Sequence, residues 1–597
     1  MRPESAATDA ARAFSRVDDF LAAWRPLTPW GRDEKEAGRV LDDLAAIDAV
    51  LDLTEAWADF ASRLRAGSDD AALDRVAFHL GRLPRLPEPI RRGDSPLDAV
   101  ELFAVRKFAS NYKRISALLD GEARRAFDFP EMPRGVEAAF APLEEGGESF
   151  GVSDACDPRL PELRRRLGEI DARANRVRKS EEERVLRATG IDFAGRDFVV
   201  SPELPPLEKG EADPLFDAEP WDGHSHVLRR RPGPGEMELG DERAVLLEEE
   251  RLVEAEVIAA MSNSIADSAD ALASCVAAIA RLDTSRSRSL IAFGPGFSRP
   301  RFAPNGGERL SIDCGRLVPL EAECGLAGLK YCPLRLELPE RAVLIFGSNM
   351  GGKTVVLETA LFLQILAQSG FHVPASTFEA PVFPFIHFVG EAASPRRSGK
   401  SAASPVGGGT GRGGSAEGGL SGFGREIASL VEAMRLSTEG GLLAFDEFAR
   451  TTSSGEAEAL LSALLATFAA RPGVKAVFAT HFRGVARAPG TRRLRMRGLD
   501  REAAKRAQGR EERMDPVARL NSLMRYELVE DSDEGSGSDA LVVAGLLGLD
   551  PKIVEEASRI YSSALRRADD GSADVAGTRG GDGDRGPEDS PIGGKNS

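Results

Sequence analysis

The stretch "FGSNMGGKT" (346–354) follows the apolar run Ala342-Val343-Leu344-Ile345 and precedes "VVLETALFL" (355–363). Glycines, a lysine and a threonine thus crowd between a strand-like run and a helix-like run. The pattern is G-x-x-x-x-G-K-[ST], made of Gly347, Ser348, Asn349, Met350, Gly351, Gly352, Lys353 and Thr354. In such a loop backbone N–H groups point inward at phosphate oxygens and the following helix adds the positive end of its dipole. The lysine neutralises β- and γ-phosphates, and the threonine hydroxyl faces Mg²⁺. The expectation is a site for ATP and Mg²⁺.

A phosphate loop of this kind needs a second half, an apolar strand that ends in a carboxylate. "GLLAFDEF" (441–448) supplies it about 90 residues downstream. Asp446 is expected to hold Mg²⁺ through water, and Glu447 to polarise the attacking water as general base. A third apolar strand, "VKAVFATH" (474–481), puts His481 at a strand end, within reach of the γ-phosphate or that water. Helices and apolar strands alternate after 354, which predicts a largely parallel sheet covered by helices: an α/β P-loop ATPase domain.

The rest of the chain is helical in pattern. At 597 residues it exceeds the roughly 250 to 300 that one core sustains, so several domains are expected. Residues 1–150 read as an N-terminal helical core, because "VLDDLAAIDAVLDLTEAWADFASRL" (40–64) and "LDAVELFAVRKFASNYKRISALL" (97–119) follow a 3.6-residue period. Residues 151–285 read as lever helices, one over 157–188 and a longer one over 242–283, able to pack antiparallel. Proline-rich residues 191–240 between them suggest a reduced, hairpin-like tip. Residues 286–566 form the ATPase domain. The Gly/Ser-rich stretch 393–420 is expected to be a flexible insertion and 567–597 a disordered tail.

Bulk composition sets limits on partners. The formal net charge is −17, so the molecule as a whole repels polyanions at long range. Five cysteines (Cys156, Cys275, Cys314, Cys324, Cys332) with no CxxC pair argue against a zinc site or a disulfide framework. No stretch approaches the roughly 18 apolar residues of a membrane span, and "MRPESAATDAARAFSRVDDF" lacks a signal-like apolar block. A cytoplasmic protein with reduced thiols is expected.

The set "GSNMGGKT", "SGFGREI" (421–427), "LLAFDEFARTTSSGEAE" (442–458) and "FATHF" (478–482) resembles the ATPase domain of the MutS family, a branch of the ABC-type ATPases. Asn349 to Lys353 matches that family's N-M-x-G-K. The likeness extends back to "IARLD" (279–283) and "SRPRF" (298–302), and forward through Met524, Tyr526 and "ALVVAGLLGLDPKIVEEA" (540–557), similar to the family's dimerising helical end. The resemblance implies a dimer, homomeric or with a related subunit, in which Ser421 reaches the γ-phosphate bound by the partner. It also marks Gln368 and Pro374-Ala375 as a family stretch, and Tyr331 either as an adenine-stacking residue or as a strand residue packed on the sheet edge. One departure is evident: the family's D-E-x-G-R-G-T-S-T reads Asp446 to Ser454 here, with Ala449 and Thr451 replacing glycines, which reduces the freedom of a tight turn.

What the ATPase acts on stays open between two classes. The mismatch-reading branch carries a Phe-x-Glu wedge, and here the first 30 residues lead straight into helices, so mismatch reading by this chain is not expected. The tip offers "LRRRPGPG" (228–235), offset by "EKGEADPLFDAEP" (208–220). His224-Ser225-His226 lacks a third metal ligand. One reading is a dimeric ATPase clamp on DNA. The other is a remodelling factor that reactivates an adenosylcobalamin-dependent aminomutase, a role known among MutS-like chains without the mismatch domain and congenial to an acidic protein.

Overall fold

The computed structural model describes residues 5–87, 95–143, 151–203, 215–303, 308–347, 351–390, 422–507, 516–531 and 539–576. The chain divides into two compact units. One comprises Met1–Trp24, Gly38–Asp52 and Arg288–Ser597, the other Arg25–Ala37 and Leu53–Ser287. This differs from the expected division at 150 and 285: the segments before 24 and between 38 and 52 belong to the same unit as residues 288 onward. Amphipathic period tells that a helix buries a face, not which core receives it.

The first unit is built on a six-stranded sheet in the order Met524–Glu530, Thr491–Leu499, Ala342–Phe346, Val474–Thr480, Gly441–Asp446, Ile386–Val389. The last five are parallel, and only Met524–Glu530 runs antiparallel. Alternation sorts the side chains between two cores. Val343, Ile345, Ala444, Val477 and Ala479 face one, with the helix Lys353–Gln368; Leu344, Phe346, Phe445 and Phe478 face the other, with the helix Ser454–Ala469. Such near-continuous apolar strands are what burial on both faces demands.

The helix Lys353–Gln368 is buried at every position from Thr359 onward. Its outer face is covered by the helix Asp9–Ser15 and the segment after it: Phe20 meets Phe362 edge-on, and Phe14 stacks on Phe388 of the edge strand at 3.7 Å. A smaller four-stranded sheet, ordered Arg301–Phe302, Thr377–Ala380, Leu310–Gly315, Leu334–Leu338, completes this core. The N-terminal segment also seals the sheet's edge. Ile386 N–H donates to Ala6 O, and Thr8 N–H to Ile386 O.

In the second unit the helices Asp70–Gly81, Ala99–Leu118 and Arg134–Phe140 share a core with the helix that starts at Ala269. Asp98 and Glu101 form a reciprocal capping box that fixes where the Ala99–Leu118 helix begins. Asp283, fully buried, accepts from the backbone N–H of Leu27 (2.9 Å) and Thr28 (2.7 Å) and from the Thr28 hydroxyl (2.8 Å), so the "IARLD" end holds the 27–28 turn.

The two long helices Arg159–Thr189 and Pro234–Ala266 pair antiparallel. Arg159 meets Glu256, Arg164 meets Glu250 and Glu254, and Arg243 meets Asp171, one number rising as the other falls. Leu160, Leu163, Leu167 and Ile170 pack on Leu239, Leu246 and Val253, a seam with coiled-coil spacing. Between them lies a three-stranded antiparallel sheet in the order Phe198–Ser201, Ser225–Arg230, Phe216–Asp222. At the other end of the chain, the helix Pro551–Ala576 runs past 567, where the tail was expected to start, and 577–597 lie outside the described residues. Among the described residues no helix is long and apolar enough to cross a membrane.

Candidate functional site

The site forms where three adjacent parallel strands end. Register aligns Thr480 with Phe346 and Asp446 with Ala479, so the chain leaves the sheet at Gly347, Glu447 and His481 side by side. In open parallel sheets ligands gather beyond the carboxyl ends of the strands, and this is such an edge.

Both glycines that frame the loop sit close to neighbouring side chains. A Cβ on Gly347 would sit 3.1 Å from the Met496 side chain. Gly352, with φ +87°, occupies the left-handed region and would press a Cβ to 3.1 Å from the Tyr526 ring. Gly352 caps the helix Lys353–Gln368, whose N-terminus therefore opens on the loop. Ser348, Asn349 and Met350 lie outside the described residues, as do Ser421 and the expected insertion 393–420.

Lys353 is buried, and its Nζ donates to Gly347 O at 2.8 Å and lies 3.7 Å from Glu447 Oε1. Burial holds its ammonium below the ordinary lysine range, against the pull of Glu447 and Asp446. Thr354 Oγ1 donates to Asp446 Oδ2 at 2.8 Å. Burial pushes the Asp446 carboxyl up, the Thr354 bond opposes this and Glu447 adds to it. The other oxygen, Asp446 Oδ1, is buried without a hydrogen-bond partner among the described residues.

That orphaned oxygen beside a threonine hydroxyl is the donor set that fits Mg²⁺, an oxygen-seeking ion that usually takes one or two protein ligands and fills the remaining positions with water and phosphate. Asp446 and Thr354 would hold it, and it would neutralise phosphate charge. Elsewhere, among the described residues, no group of three or more His, Cys, Asp or Glu is placed to hold a metal, so His224 and His226 gain no third ligand.

Glu447 sits at φ +47° just past the strand, its N–H bound to Ala479 O. Its Oε1 lies 3.5 Å from His481 Nδ1 and its Oε2 3.8 Å from Arg450 Nη1. A carboxylate held among a lysine, an arginine and a histidine, yet still partly exposed, can take a proton from a water in line with a bound phosphate. The turn beyond it carries the departure noted in the sequence: Ala449 has φ +63° and is fully buried, with its N–H on Glu426 Oε2 at 2.8 Å.

Of the residues named from sequence, Gly347, Gly352, Lys353, Thr354, Asp446, Glu447 and His481 meet here, and Gly351 begins the described part of the loop's second half. Gln368 does not. It lies fully buried at the far end of the helix, donating to Leu41 O and Phe383 O and accepting from Phe383 N–H, a structural clasp. The Tyr331 hydroxyl accepts from Leu317 N–H at 2.7 Å, and burial pushes its pKa up to about 12. At the tip the three-arginine run is engaged internally: Arg230 pairs with Glu236, Arg231 with Asp217, and Arg229 lies over the Phe198 ring. Sequence reasoning missed Met496 and Glu426. Strand alternation through Leu494 and Met496 could have found the first; Glu426 carries no local signal.

No family model matches the chain. It is 28% identical over 448 residues to the DNA mismatch repair protein MutS of Thermus thermophilus, covering 73% of this chain and 49% of that protein. The MutS of Thermus aquaticus is 27% identical over 483 residues, 79% of this chain and 52% of that protein. That of Lactococcus lactis subsp. cremoris is 31% identical over 206 residues, 34% of this chain and 22% of the relative. The chain spans about half the length of the Thermus relatives it matches.

Proposed function

We propose that this chain, a divergent member of the MutS family, binds ATP with Mg²⁺ at the 347–354 loop and hydrolyses it in work related to DNA mismatch repair. The observation that carries the reading is the Thr354–Asp446 bond, with the Lys353 ammonium and the Glu447 carboxylate at the same strand ends. Lys353 neutralises phosphate charge, the loop and helix N-terminus orient the phosphates, and Glu447 receives the proton of the attacking water, with His481 beside it.

The active form in this proposal is a dimer acting on DNA, with Ser421 completing the site of the partner subunit. Support for assembly comes from the C-terminal helices, which expose Leu549, Ile553 and Ile560. The domain plan is a helical core and lever that transmit the state of the ATP site. Nothing in the relatives' names supports aminomutase reactivation.

The test is ATP turnover and nucleotide binding in Lys353→Ala and Glu447→Gln. The first is expected to lose binding or turnover, and the second to retain binding while turnover falls roughly 10²- to 10⁴-fold, the usual worth of a general base. Normal hydrolysis in both would remove the site assignment.

A further inference from the structure

The helical unit carries an open groove of about 940 Å³ bordered by the helices Asp70–Gly81, Ala99–Leu118 and Arg134–Phe140. Among the described residues its lining is strongly basic although the whole chain carries −17: Arg82, Arg106, Lys107, Lys113 and Arg114 stand against one carboxylate, Glu137. Four of these cations fall at 106, 107, 113 and 114, a repeat of seven that lays them along one face of the Ala99–Leu118 helix. The opposite face of that helix, with Leu102, Val105, Phe108 and Ile115, is buried in the core.

Aromatic rings are interleaved with the charge. Phe78, Phe103 and Phe140 line the same groove, Phe78 is 56% exposed, and the Arg82 guanidinium lies 5.0 Å from its centroid. The floor is fixed by Asn111, whose Oδ1 contacts His79 Nδ1 at 3.0 Å and whose Nδ2 donates to Lys107 O. Lys113 is paired with Glu137 at 2.8 Å. The side chains of Lys107 and Arg114 enter no ion pair among the described residues.

We infer that this groove binds single-stranded nucleic acid, with Lys107 and Arg114 on the phosphates and Phe78 and Phe103 stacking against bases. Positive grooves that track a backbone, with aromatic faces for successive bases, are the chemistry of sequence-tolerant single-strand binding. An acidic polypeptide would meet the charge but has no base to stack on the exposed Phe78 ring. The ATP site plays no part in the argument.

The experiment is fluorescence anisotropy of a labelled 20-nucleotide oligothymidylate on the full chain, with binding of a fluorescent ATP analogue measured in parallel. Neutralising two phosphates predicts an affinity loss of roughly 7-fold between 50 and 200 mM salt. In Lys107→Gln/Arg114→Gln the log–log salt slope should shrink by about 1.4, and binding should weaken. Phe78→Ala should weaken binding by about 5- to 100-fold. Both variants should keep the wild-type affinity for the ATP analogue, whereas Lys353→Ala should keep oligothymidylate binding. Absence of binding at 50 mM salt, or an unchanged slope in the double variant, overturns the inference. So does displacement of the oligonucleotide by equimolar poly-glutamate, which would assign the groove to an acidic protein.

Discussion

Thr354 Oγ1 reaches Asp446 Oδ2 at 2.8 Å, a bond between residues 92 positions apart that joins the phosphate loop to the carboxylate strand. Among the described residues Asp446 Oδ1 has no partner. Thr354→Val therefore removes the hydrogen bond that the half-buried Asp446 carboxylate accepts, while keeping shape. A bond to a charged group is worth about 1.5 to 3 kcal/mol, so Mg²⁺-dependent ATP affinity should fall roughly 10- to 100-fold. Titration calorimetry with and without Mg²⁺ reads this, and an unchanged Mg²⁺ dependence would contradict the assignment.

Ala449 at φ +63° gives a second test. The left-handed backbone costs a non-glycine residue about 1 to 2 kcal/mol. Ala449→Gly removes that cost, but frees the unfolded chain by about 0.5 to 1 kcal/mol and gives up a buried methyl worth about 0.8. The terms nearly cancel, so the variant should lie within about 1 kcal/mol of wild type. Ala449→Val adds volume and a β-branch in a fully buried turn and should lose at least about 2 kcal/mol in urea unfolding.

A third prediction concerns pH. Lys475, buried at the start of the central strand Val474–Thr480, donates to Leu338 O and Glu340 O, and burial pushes its pKa down to about 8 against the opposing charges of Glu308 and Glu340. Between pH 8 and the lysine's ordinary 10.5 the folded state binds fewer protons than the unfolded one. This group's contribution to stability therefore rises with pH across that window, by at most roughly 3 kcal/mol. Hydrogen-exchange protection of the 474–480 strand should show the rise in wild type and lack it in Lys475→Met.

The fourth lies in the helical unit. Asp283→Ala deletes the acceptor for two backbone N–H groups and the Thr28 hydroxyl, all held by a fully buried carboxylate. Leaving such donors unsatisfied costs about 1 to 3 kcal/mol each. A loss of about 3 kcal/mol or more in urea unfolding of this unit is expected; a loss under about 1 would mean that water replaces the carboxylate without penalty.

The candidate site is legible in the sequence because its chemistry is local: a glycine loop between strand and helix, a carboxylate at one strand end, a histidine at the next. Alternation likewise announced the parallel strands. It could not announce long-range clasps. Thr8 meets His387 at 3.0 Å and Gln368 meets Leu41 O, pairings set by which helix covers which sheet face. For the same reason the part Gln368 plays in holding Leu41 and Phe383 together is visible only in three dimensions. Ala449 stands where the resemblance calls for glycine, and its φ of +63° is a left-handed angle that costs alanine more than glycine.

The sheet edge closed by Ala6 and Thr8 also fixes an order of events during synthesis. These residues leave the ribosome before their partners at 386 and 387, which follow some 379 positions later. At bacterial-to-eukaryotic elongation speeds of about 5 to 20 residues per second, that is a wait of roughly 20 to 80 seconds. Every segment of the helical unit emerges within this interval, since it ends at Ser287. The helical unit can therefore be complete before the strand Ile386–Val389 has been made, and through that interval the Ala6–Thr8 segment is without the strand it pairs with.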